Sequence, residues 1–313
     1  MGQKIATRDA YGQALVKLGR ENPNVVVLDA DLSKSTKTAG FAKEFPERFF
    51  QMGVAEADMT STAAGLATCG KIPFISTFAC FATGRNFDQV RISIGYTHLN
   101  VKIAASHAGI TVGEDGASHQ AIEDITLMRV IPGMVVLSPA DAVDAEAAVF
   151  AAAAIEGPVY LRFGREPMPV IFPPGRKLTV GKADRLREGS EATIAATGVM
   201  TAVALEAAEI LASRGRTVRV LNFSTIKPID VEEILAAARE TGTIVTAEEH
   251  SVIGGLGSAV AEVVVRHHPV PMEFVGIQDR FGQSGKPSEL MKEYGLTAED
   301  VAAAVERAIA RKR

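Results

Sequence analysis

The sequence is poor in several residue types, and each scarcity excludes a class of protein. It has two cysteines, Cys69 and Cys80, and no tryptophan in 313 residues. Two cysteines cannot build a disulfide framework, so a reducing, cytoplasmic location is expected. The 33 basic residues do not outnumber the 37 acidic ones, and the formal net charge is −4. A nucleic-acid-binding protein usually carries a basic excess, so no nucleic-acid partner is expected.

Long apolar segments are also missing. The longest apolar run, residues 147–155, is far shorter than the roughly 20 residues that a membrane-spanning helix needs. The N-terminus lacks the apolar core of a signal peptide. The composition, 47% hydrophobic and 22% charged, is that of an ordinary globular protein. We therefore expect no membrane partner.

Short apolar runs alternate with segments of helical spacing along most of the chain. The alternation favours an α/β fold with a mostly parallel sheet flanked by helices. The predicted strands are residues 25–28, 72–75, 101–105, 134–137, 159–163, 192–196, 218–221, 244–247 and 272–277. The predicted helices are residues 8–18, 57–68, 86–95, 140–153, 200–214, 231–240, 256–267 and 298–311.

The alternation stops in a segment that is rich in proline and glycine. At about 150 residues per domain, the length predicts two domains. Prolines 167, 169, 173 and 174 should prevent regular helix and interrupt strand pairing. We therefore predict one domain over residues 1–165, a linker over 166–190 and a second, smaller α/β domain over 191–313.

One loop concentrates residues that can carry chemistry. Residues 107–120, HAGITVGEDGASHQ, follow a predicted strand and hold two histidines, two acids and three glycines. In an open α/β sheet, ligands bind at the loops that leave the carboxyl ends of the strands. Histidine can exchange protons near neutral pH, and glycine lets the backbone approach a ligand closely. The alternative is a solvated loop without a function.

Two further groups are open to two interpretations. Glu56 lies at a predicted helix start among apolar and small residues, where it could serve a ligand or simply stabilise the helix N-terminus. Phe78 and Phe81 follow a predicted strand, and they could be core residues or could line a flat heteroaromatic ring.

Taken together, these motifs resemble the C-terminal half of transketolase. The resemblance extends along nearly the whole chain and includes the start of the Glu56 helix. Its other segments, in order, are ATRDAYG (6–12), LDAD (28–31), STF (76–78), FDQVR (87–91), GEDG (113–116) and SGKP (284–287).

The resemblance implies a pyrimidine-binding domain followed by the family's C-terminal domain, with thiamine diphosphate and Mg²⁺ or Ca²⁺ as cofactors. The family's metal-diphosphate motif, which begins Gly-Asp-Gly, does not occur in this sequence, so no metal ligand is expected here. A separate N-terminal subunit would then hold the diphosphate and the metal. This suggests one subunit of a split transketolase, assembled as α2β2 with contacts between copies of this chain. The expected reaction is transfer of a two-carbon ketol unit from a ketose phosphate to an aldose phosphate.

The resemblance also implies roles for particular residues. Glu56 would engage the cofactor's aminopyrimidine, Asp115 would contact the acceptor sugar, and His119 would act on the donor. The rings of Phe78 and Phe81 would contact the aminopyrimidine, with Arg85 or Phe87 nearby. A clamp for the sugar phosphate would consist of Arg8, Ser35, His107 and Arg165, with Arg162 as a competitor for the role of Arg165.

Three other functions remain open from the sequence. A β subunit of a 2-oxoacid dehydrogenase and a deoxyxylulose-phosphate-synthase-like protein would use the same cofactor. The implied phosphate clamp and the 107–120 loop argue against the first, and residues 6–11 and 106–109 fit transketolase better than the second. The third is a non-catalytic scaffold that has kept the fold. The preferred sugars and the role of the last domain are also left open.

Overall fold

The structure, a computed structural model, describes residues 3–312 and consists of two α/β units. In chain order, the first unit contains β1 (Lys4–Ala6), α1 (Thr7–Glu21), β2 (Val25–Asp29), α2 (Ser33–Thr36), α3 (Ala39–Glu44), β3 (Phe49–Gln51), α4 (Glu56–Thr68), β4 (Ile72–Phe78), α5 (Phe87–Gln89), β5 (Lys102–Ser106), α6 (Asp124–Arg129), β6 (Val135–Leu137), α7 (Ala142–Ala154), β7 (Val159–Arg162) and β8 (Pro167–Pro169).

The second unit follows with β9 (Asp184–Arg187), β10 (Ala192–Ala196), α8 (Met200–Ser213), β11 (Val218–Asn222), β12 (Thr225–Lys227), α9 (Val231–Thr241), β13 (Ile244–Ser251), α10 (Leu256–His267), β14 (Met272–Ile277), α11 (Pro287–Glu293) and α12 (Ala298–Ala310). Within residues 3–312, no helix is both long and apolar enough to cross a bilayer.

Two sheets organise the units. The first sheet has the order β12-β6-β7-β5-β4-β2-β3, and every neighbouring pair except β12-β6 is parallel. The second has the order β14-β13-β10-β11-β9, with only β9 antiparallel. The predicted α/β class with mostly parallel sheets is confirmed.

The sequences of the central strands are apolar runs because helices cover both faces of the sheet. All five residues of β2 are buried, and so are all five of β5. On one face, α1 places Tyr11, Leu15 and Leu18 in a core that it shares with α7. Their spacing of four and three residues aligns them on one side of the helix.

The segment expected to lack strand pairing contains two short strands. β8 pairs with β1, and its two prolines fit there because this two-stranded ribbon lies outside the large sheets. β9 pairs with β11 at the edge of the second sheet. The expectation that the prolines interrupt strand pairing is therefore wrong at β8, which contains Pro167 and Pro169. The proposed domain boundaries stay a prediction.

Two further features differ from the sequence-based prediction. The continuous helix expected over 86–95 is a short α5 between two π-helical segments, Phe81–Arg85 and Val90–Tyr96. Such π-helical turns are frequent at functional sites, and apolar spacing does not distinguish them from an α-helix. β12 lies in the sequence of the second unit but pairs with β6 in the first sheet. With three residues, it has no alternating pattern that would predict a strand.

Candidate active site

The carboxyl ends of the parallel strands bring most of the expected residues to one edge of the first sheet. Because β2, β3, β4, β5 and β7 run in the same direction, the segments that follow them meet at that edge. The residues in or just after these strand ends are Ser35, Glu56, Phe78, His107 and Arg165.

Glu56 begins α4 and is only 2% exposed. Its Oε1 accepts a hydrogen bond of 2.8 Å from Nη1 of Arg85, whose side chain is 48% exposed. The Arg85 guanidinium also lies over the Phe81 ring, 4.1 Å from its centroid. One flat cation therefore contacts both the buried carboxylate and an aromatic face.

Four rings form a cluster that Arg85 links to this carboxylate. Phe78 and Phe81 are nearly parallel, with centroids 6.0 Å apart, and the His107 ring stacks on Phe78 at 3.8 Å. His119 presents an edge-on contact to both phenylalanines, at 6.1 Å and 5.3 Å. Phe87, in contrast, is half buried against the hydrophobic core. The structure thus brings Phe78 and Phe81 together with His107 and His119, and it leaves Phe87 apart from these rings.

The residues expected to bind phosphate form a connected cationic group. Nη1 of Arg8 lies 3.1 Å from the carbonyl oxygen of Ser35 and 3.2 Å from Nε2 of His107. The contact with Ser35 uses the main chain and not the expected hydroxyl. Burial lowers the pKa of Arg8, and the charge of nearby Arg165 lowers it further, while nearby acids oppose this. Two arginines that repel each other would be stabilised by a bound anion.

Arg165 and not Arg162 is exposed at this edge. Nη1 of Arg165 donates to the carbonyl of Val112 and lies 3.8 Å from Oδ2 of Asp115, and the side chain is 31% exposed. Arg162 is buried, and its Nε donates to Asp124 Oδ2 at 2.8 Å. Arg162 therefore acts within the core and is not available to a ligand at this edge.

His107 is held as a neutral ring. Burial, followed by the charges of Arg8 and Arg165, lowers its pKa to about 3. Because an arginine can only donate, Nε2 of His107 accepts from Arg8, and Nδ1 donates to Ser106 Oγ at 2.8 Å. A neutral imidazole with a fixed tautomer can orient a ligand without contributing a charge.

We expect the His107 ring to stay neutral between pH 8 and pH 5. Protonation would place a cation beside Arg8 in a buried site, and it becomes favourable only when the pH approaches the folded pKa of about 3. The ¹⁵N shifts of the ring, identified by comparison with His107→Asn, should be flat over this interval. A titration midpoint between pH 6 and 7 would contradict the expectation.

The 107–120 loop is folded tightly, and glycine permits its course. Gly109 and Gly116 have φ of +81° and +74°, values that other residues rarely adopt. Between them, Ile110–Asp115 consists of two short 3₁₀ turns joined by a kink at Gly113, whose φ is +85°. The side-chain amide of Gln120 donates to the carbonyls of Ile110 and Gly113 at 3.1 and 3.3 Å. Asp115, near the end of this segment, is exposed.

Sequence reasoning missed two residues that organise this loop. Gln120 was part of the motif but had no role, and Glu249 of β13 was not considered. Oε1 of Glu249 accepts a 2.6 Å hydrogen bond from the main-chain N–H of Thr111. A signal was present, because Glu248, Glu249 and His250 are three ionisable residues in a row, directly after the predicted strand at 244–247.

Comparisons with known proteins give the family. "Transketolase, pyrimidine binding domain" matches residues 3–170, and "Transketolase, C-terminal domain" matches residues 181–301. The "Putative transketolase C-terminal section" of Methanocaldococcus jannaschii is 50% identical over 94% of this chain and 93% of its own length. The chain belongs to the transketolase family. It corresponds to the C-terminal half of a transketolase, as the resemblance implied.

Two other members of the transketolase family cover this chain almost completely. The "6-deoxy-6-sulfo-D-fructose transketolase subunit SqwH" of a Clostridium species is 45% identical over 97% of this chain and 95% of its own length. A solved structure described as "Split gene transketolase, inactive beta4 tetramer" is 57% identical and covers 99% of both chains with a TM-score of 0.91. Transketolases of this split type therefore share both the sequence and the fold of the present chain.

Proposed function

We propose that the chain is the C-terminal subunit of a thiamine-diphosphate-dependent transketolase. With a separate N-terminal subunit, it would transfer a two-carbon ketol unit from a ketose phosphate to an aldose phosphate. One observation carries this proposal. A continuous line of contacts runs from Glu56 through Arg85, Phe81, Phe78 and His107 to the cationic clamp.

The residues present fit the aminopyrimidine of thiamine diphosphate. The guanidinium of Arg85 is itself a flat group that donates N–H to Glu56 while it lies on the Phe81 ring. An aminopyrimidine can make the same two kinds of contact. Since the side chain of Arg85 is 48% exposed, it has room to move aside. Glu56, Phe78 and Phe81 are therefore the residues that would hold the ring, with Arg85 beside it, and Phe87 would support them from the core.

When bound, thiamine diphosphate supplies the electron sink that makes cleavage beside a ketose carbonyl possible. Glu56 would share a proton with N1′ of the pyrimidine, because its buried carboxylate is withdrawn from competing water. His119, edge-on to both phenylalanine rings, would hydrogen-bond the hydroxyl and carbonyl groups of the donor. Asp115 would accept a hydrogen bond from a hydroxyl of the acceptor.

Arg8, Ser35, His107 and Arg165 would bind the phosphate of the sugar. Arginine pairs bidentately with phosphate, and two arginines can balance a dianion. The neutral His107 ring between them would keep Arg8 oriented through their 3.2 Å contact. The Clostridium relative is named for a sulfonated sugar, and a sulfonate is also an anionic group of the kind this clamp would bind.

The proposal includes a partner. The N-terminal subunit would bind the diphosphate together with Mg²⁺ or Ca²⁺, and the assembly would be α2β2 in the cytoplasm, with contacts between copies of this chain. Apolar side chains are exposed next to Glu56, among them Phe50 (37%) and Val54 (72%). An apolar surface beside the site supports an interface there. The description of the solved relative as an inactive β4 tetramer supports the need for another subunit.

Reconstitution tests this function. We expect the chain alone to show no ketol transfer from xylulose 5-phosphate to ribose 5-phosphate. Addition of an N-terminal transketolase subunit, thiamine diphosphate and Mg²⁺ should produce the transfer, measured by the release of glyceraldehyde 3-phosphate. Full activity of the chain alone would contradict the split-enzyme proposal. No activity in the complete mixture, despite stable assembly, would favour the non-catalytic scaffold.

A further inference from the structure

One of the contacts between the second unit and the 107–120 loop is made by a buried carboxylate. Glu249 is 2% exposed and lies in β13 of the second sheet. Its Oε1 accepts from the N–H of Thr111 at 2.6 Å, across 138 residues of sequence. Its Oε2 and the hydroxyl oxygen of Thr111 are both buried without a hydrogen-bond partner. A buried carboxylate that makes one main-chain contact points to a role at that contact.

The fit of Glu249 against the loop is close. A Cβ atom added at Gly109 would lie 2.2 Å from the carboxyl carbon of Glu249, so the loop approaches the carboxylate where only glycine fits. Nη2 of Arg162 donates to the main-chain carbonyl of Glu249 at 2.9 Å. Arg162 is itself fixed by Asp124. Hydrogen bonds therefore hold both the main-chain carbonyl and the carboxylate of Glu249.

The contact at Thr111 leads directly to the cationic clamp. The next residue, Val112, offers its carbonyl to Nη1 of Arg165. The same guanidinium nitrogen lies 3.8 Å from Oδ2 of Asp115, which follows the kink at Gly113. A shift of the turn that contains Thr111 and Val112 would move the acceptor that orients Arg165, and with Arg165 the cation that faces Asp115.

We propose that Glu249 is a positioning residue through which the C-terminal unit sets the place of Arg165 beside Asp115. The hydrogen bond to Thr111 fixes the turn before the Gly113 kink, and the Val112 carbonyl in that turn orients Arg165 toward the anionic end of a sugar. This gives the C-terminal unit a part in recognition of the phosphate. The inference rests on the proposed function only for the identity of that ligand.

Glu248 provides a matched control in the same strand. It is also buried, at 1%, and its carboxylate accepts from two main-chain N–H groups, those of Leu256 and Gly257, at 2.7 and 2.8 Å. Those contacts are at the start of α10, and none of them involves the 107–120 loop. Loss of either carboxylate should destabilise the protein, but only loss of Glu249 should release the loop.

Hydrogen–deuterium exchange on the full chain tests the positioning without any activity. In Glu249→Ala, main-chain amides of residues 109–113 should exchange at least about tenfold faster than in the wild type. In Glu248→Ala they should not, and the start of α10 should exchange faster instead. Glu249→Gln keeps an acceptor for Thr111, so it should retain slow exchange. If Glu249→Ala does not fold, Glu249→Asp serves, because the shorter side chain withdraws the acceptor and keeps the charge.

Kinetics of the assembled enzyme test the consequence for the ligand. We compare kcat/KM for xylulose 5-phosphate with kcat/KM for xylulose, the same ketose without phosphate. Glu249→Ala should lower this ratio at least about tenfold, mainly through KM for the phosphorylated donor. Glu248→Ala should leave the ratio within about twofold of the wild type, and Glu249→Gln should restore most of it. A residue with a general structural role would lower both kcat/KM values together.

The outcomes separate this inference from the proposed function. Unchanged exchange at residues 109–113 in Glu249→Ala, or an equal effect of Glu248→Ala there, would overturn the positioning role. Faster exchange with an unchanged substrate ratio would overturn the link to the phosphate. If the wild-type assembly transfers no ketol unit, the proposed function fails, and the exchange experiment still decides whether Glu249 holds the loop.

Discussion

Replacing Glu56 by glutamine should slow exchange of the C2 proton of thiamine diphosphate in the assembled enzyme by about 10²–10⁴-fold, the usual range for loss of a positioned acid or base. Glutamine keeps the size of the side chain and can still accept from Arg85, but it has no ionisable proton to share with the pyrimidine. Because Glu56 is buried, bulk water cannot replace it. The exchange is followed by quenched-flow mixing into D₂O and proton NMR of the released cofactor.

Asp58→Asn is the control for the alternative role of Glu56 at the helix start. Asp58 lies in the same first turn of α4 and is exposed. Both acids interact favourably with the N-terminal end of the helix dipole, by about 0.3–1 kcal/mol. If Glu56 only stabilised the helix, the two variants would behave alike in the exchange assay. Unchanged exchange in Glu56→Gln would indicate that Glu56 only stabilises the N-terminus of α4.

The second large effect concerns stability. Arg162→Met should lower the free energy of unfolding by about 3–5 kcal/mol, the usual cost when one partner of a buried ion pair is removed. Asp124 is fully buried, and its Oδ2 also accepts from the hydroxyl of Tyr160 at 2.6 Å. Without Arg162, that one remaining hydrogen bond does not compensate the free-energy cost of keeping the Asp124 carboxylate away from water. Thermal unfolding of the chain should show a clear decrease in Tm.

The pH dependence of this effect has a definite sign. Burial alone would raise the pKa of Asp124, but the Arg162 charge, the His250 charge and the hydrogen bonds from Arg162 and Tyr160 together outweigh burial and hold the pKa below the usual range. The pair therefore stabilises the protein above the unfolded pKa of about 3.9, and the benefit is lost as the pH falls through the folded value. The difference between Arg162→Met and wild type should be full at pH 7 and shrink below about pH 4.

Arg165→Met is the matched variant for this measurement. Arg165 lies three residues after Arg162 and is partly exposed. Its loss should therefore change Tm little and should instead weaken the binding of sugar phosphates. An equal loss of stability in both variants would contradict the assignment of Arg162 to the core. Unweakened binding of sugar phosphates in Arg165→Met would contradict the role proposed for Arg165.

Much of this fold and site can be predicted from local sequence. The run at 25–28 predicts β2 because a strand covered on both faces has no polar side to display. Phe78 and His107 are predictable because each follows a predicted buried strand, and parallel strands end at a common edge. Glu56 follows β3, an exposed edge strand that the sequence does not predict, and it is recognised only by its place at a helix start. The reasoning uses only the order of elements and the direction of the chain, and both can be read from the sequence.

The rest depends on partners that are distant in sequence. Nothing near Thr111 indicates that its N–H meets Glu249, since the two lie 138 residues apart. Arg162 and Arg165 are equivalent in a local motif, and only the position of Asp124 assigns one to the core and one to the edge. Phe87 fits the family motif, yet the π-helical turns around it alter the direction in which its helix presents side chains.

Because β12 belongs to the sequence of the second unit but pairs in the first sheet, truncation of the chain between the units has a consequence. Thr225–Lys227 covers the outer edge of β6, so a truncated polypeptide that stopped within 166–190 would leave Val136 and Leu137 with open main-chain groups. Strand edges with unpaired main-chain groups pair with the edges of other copies, which leads to aggregation. We therefore expect the first unit, expressed without β12, to aggregate and not to behave as an independent domain.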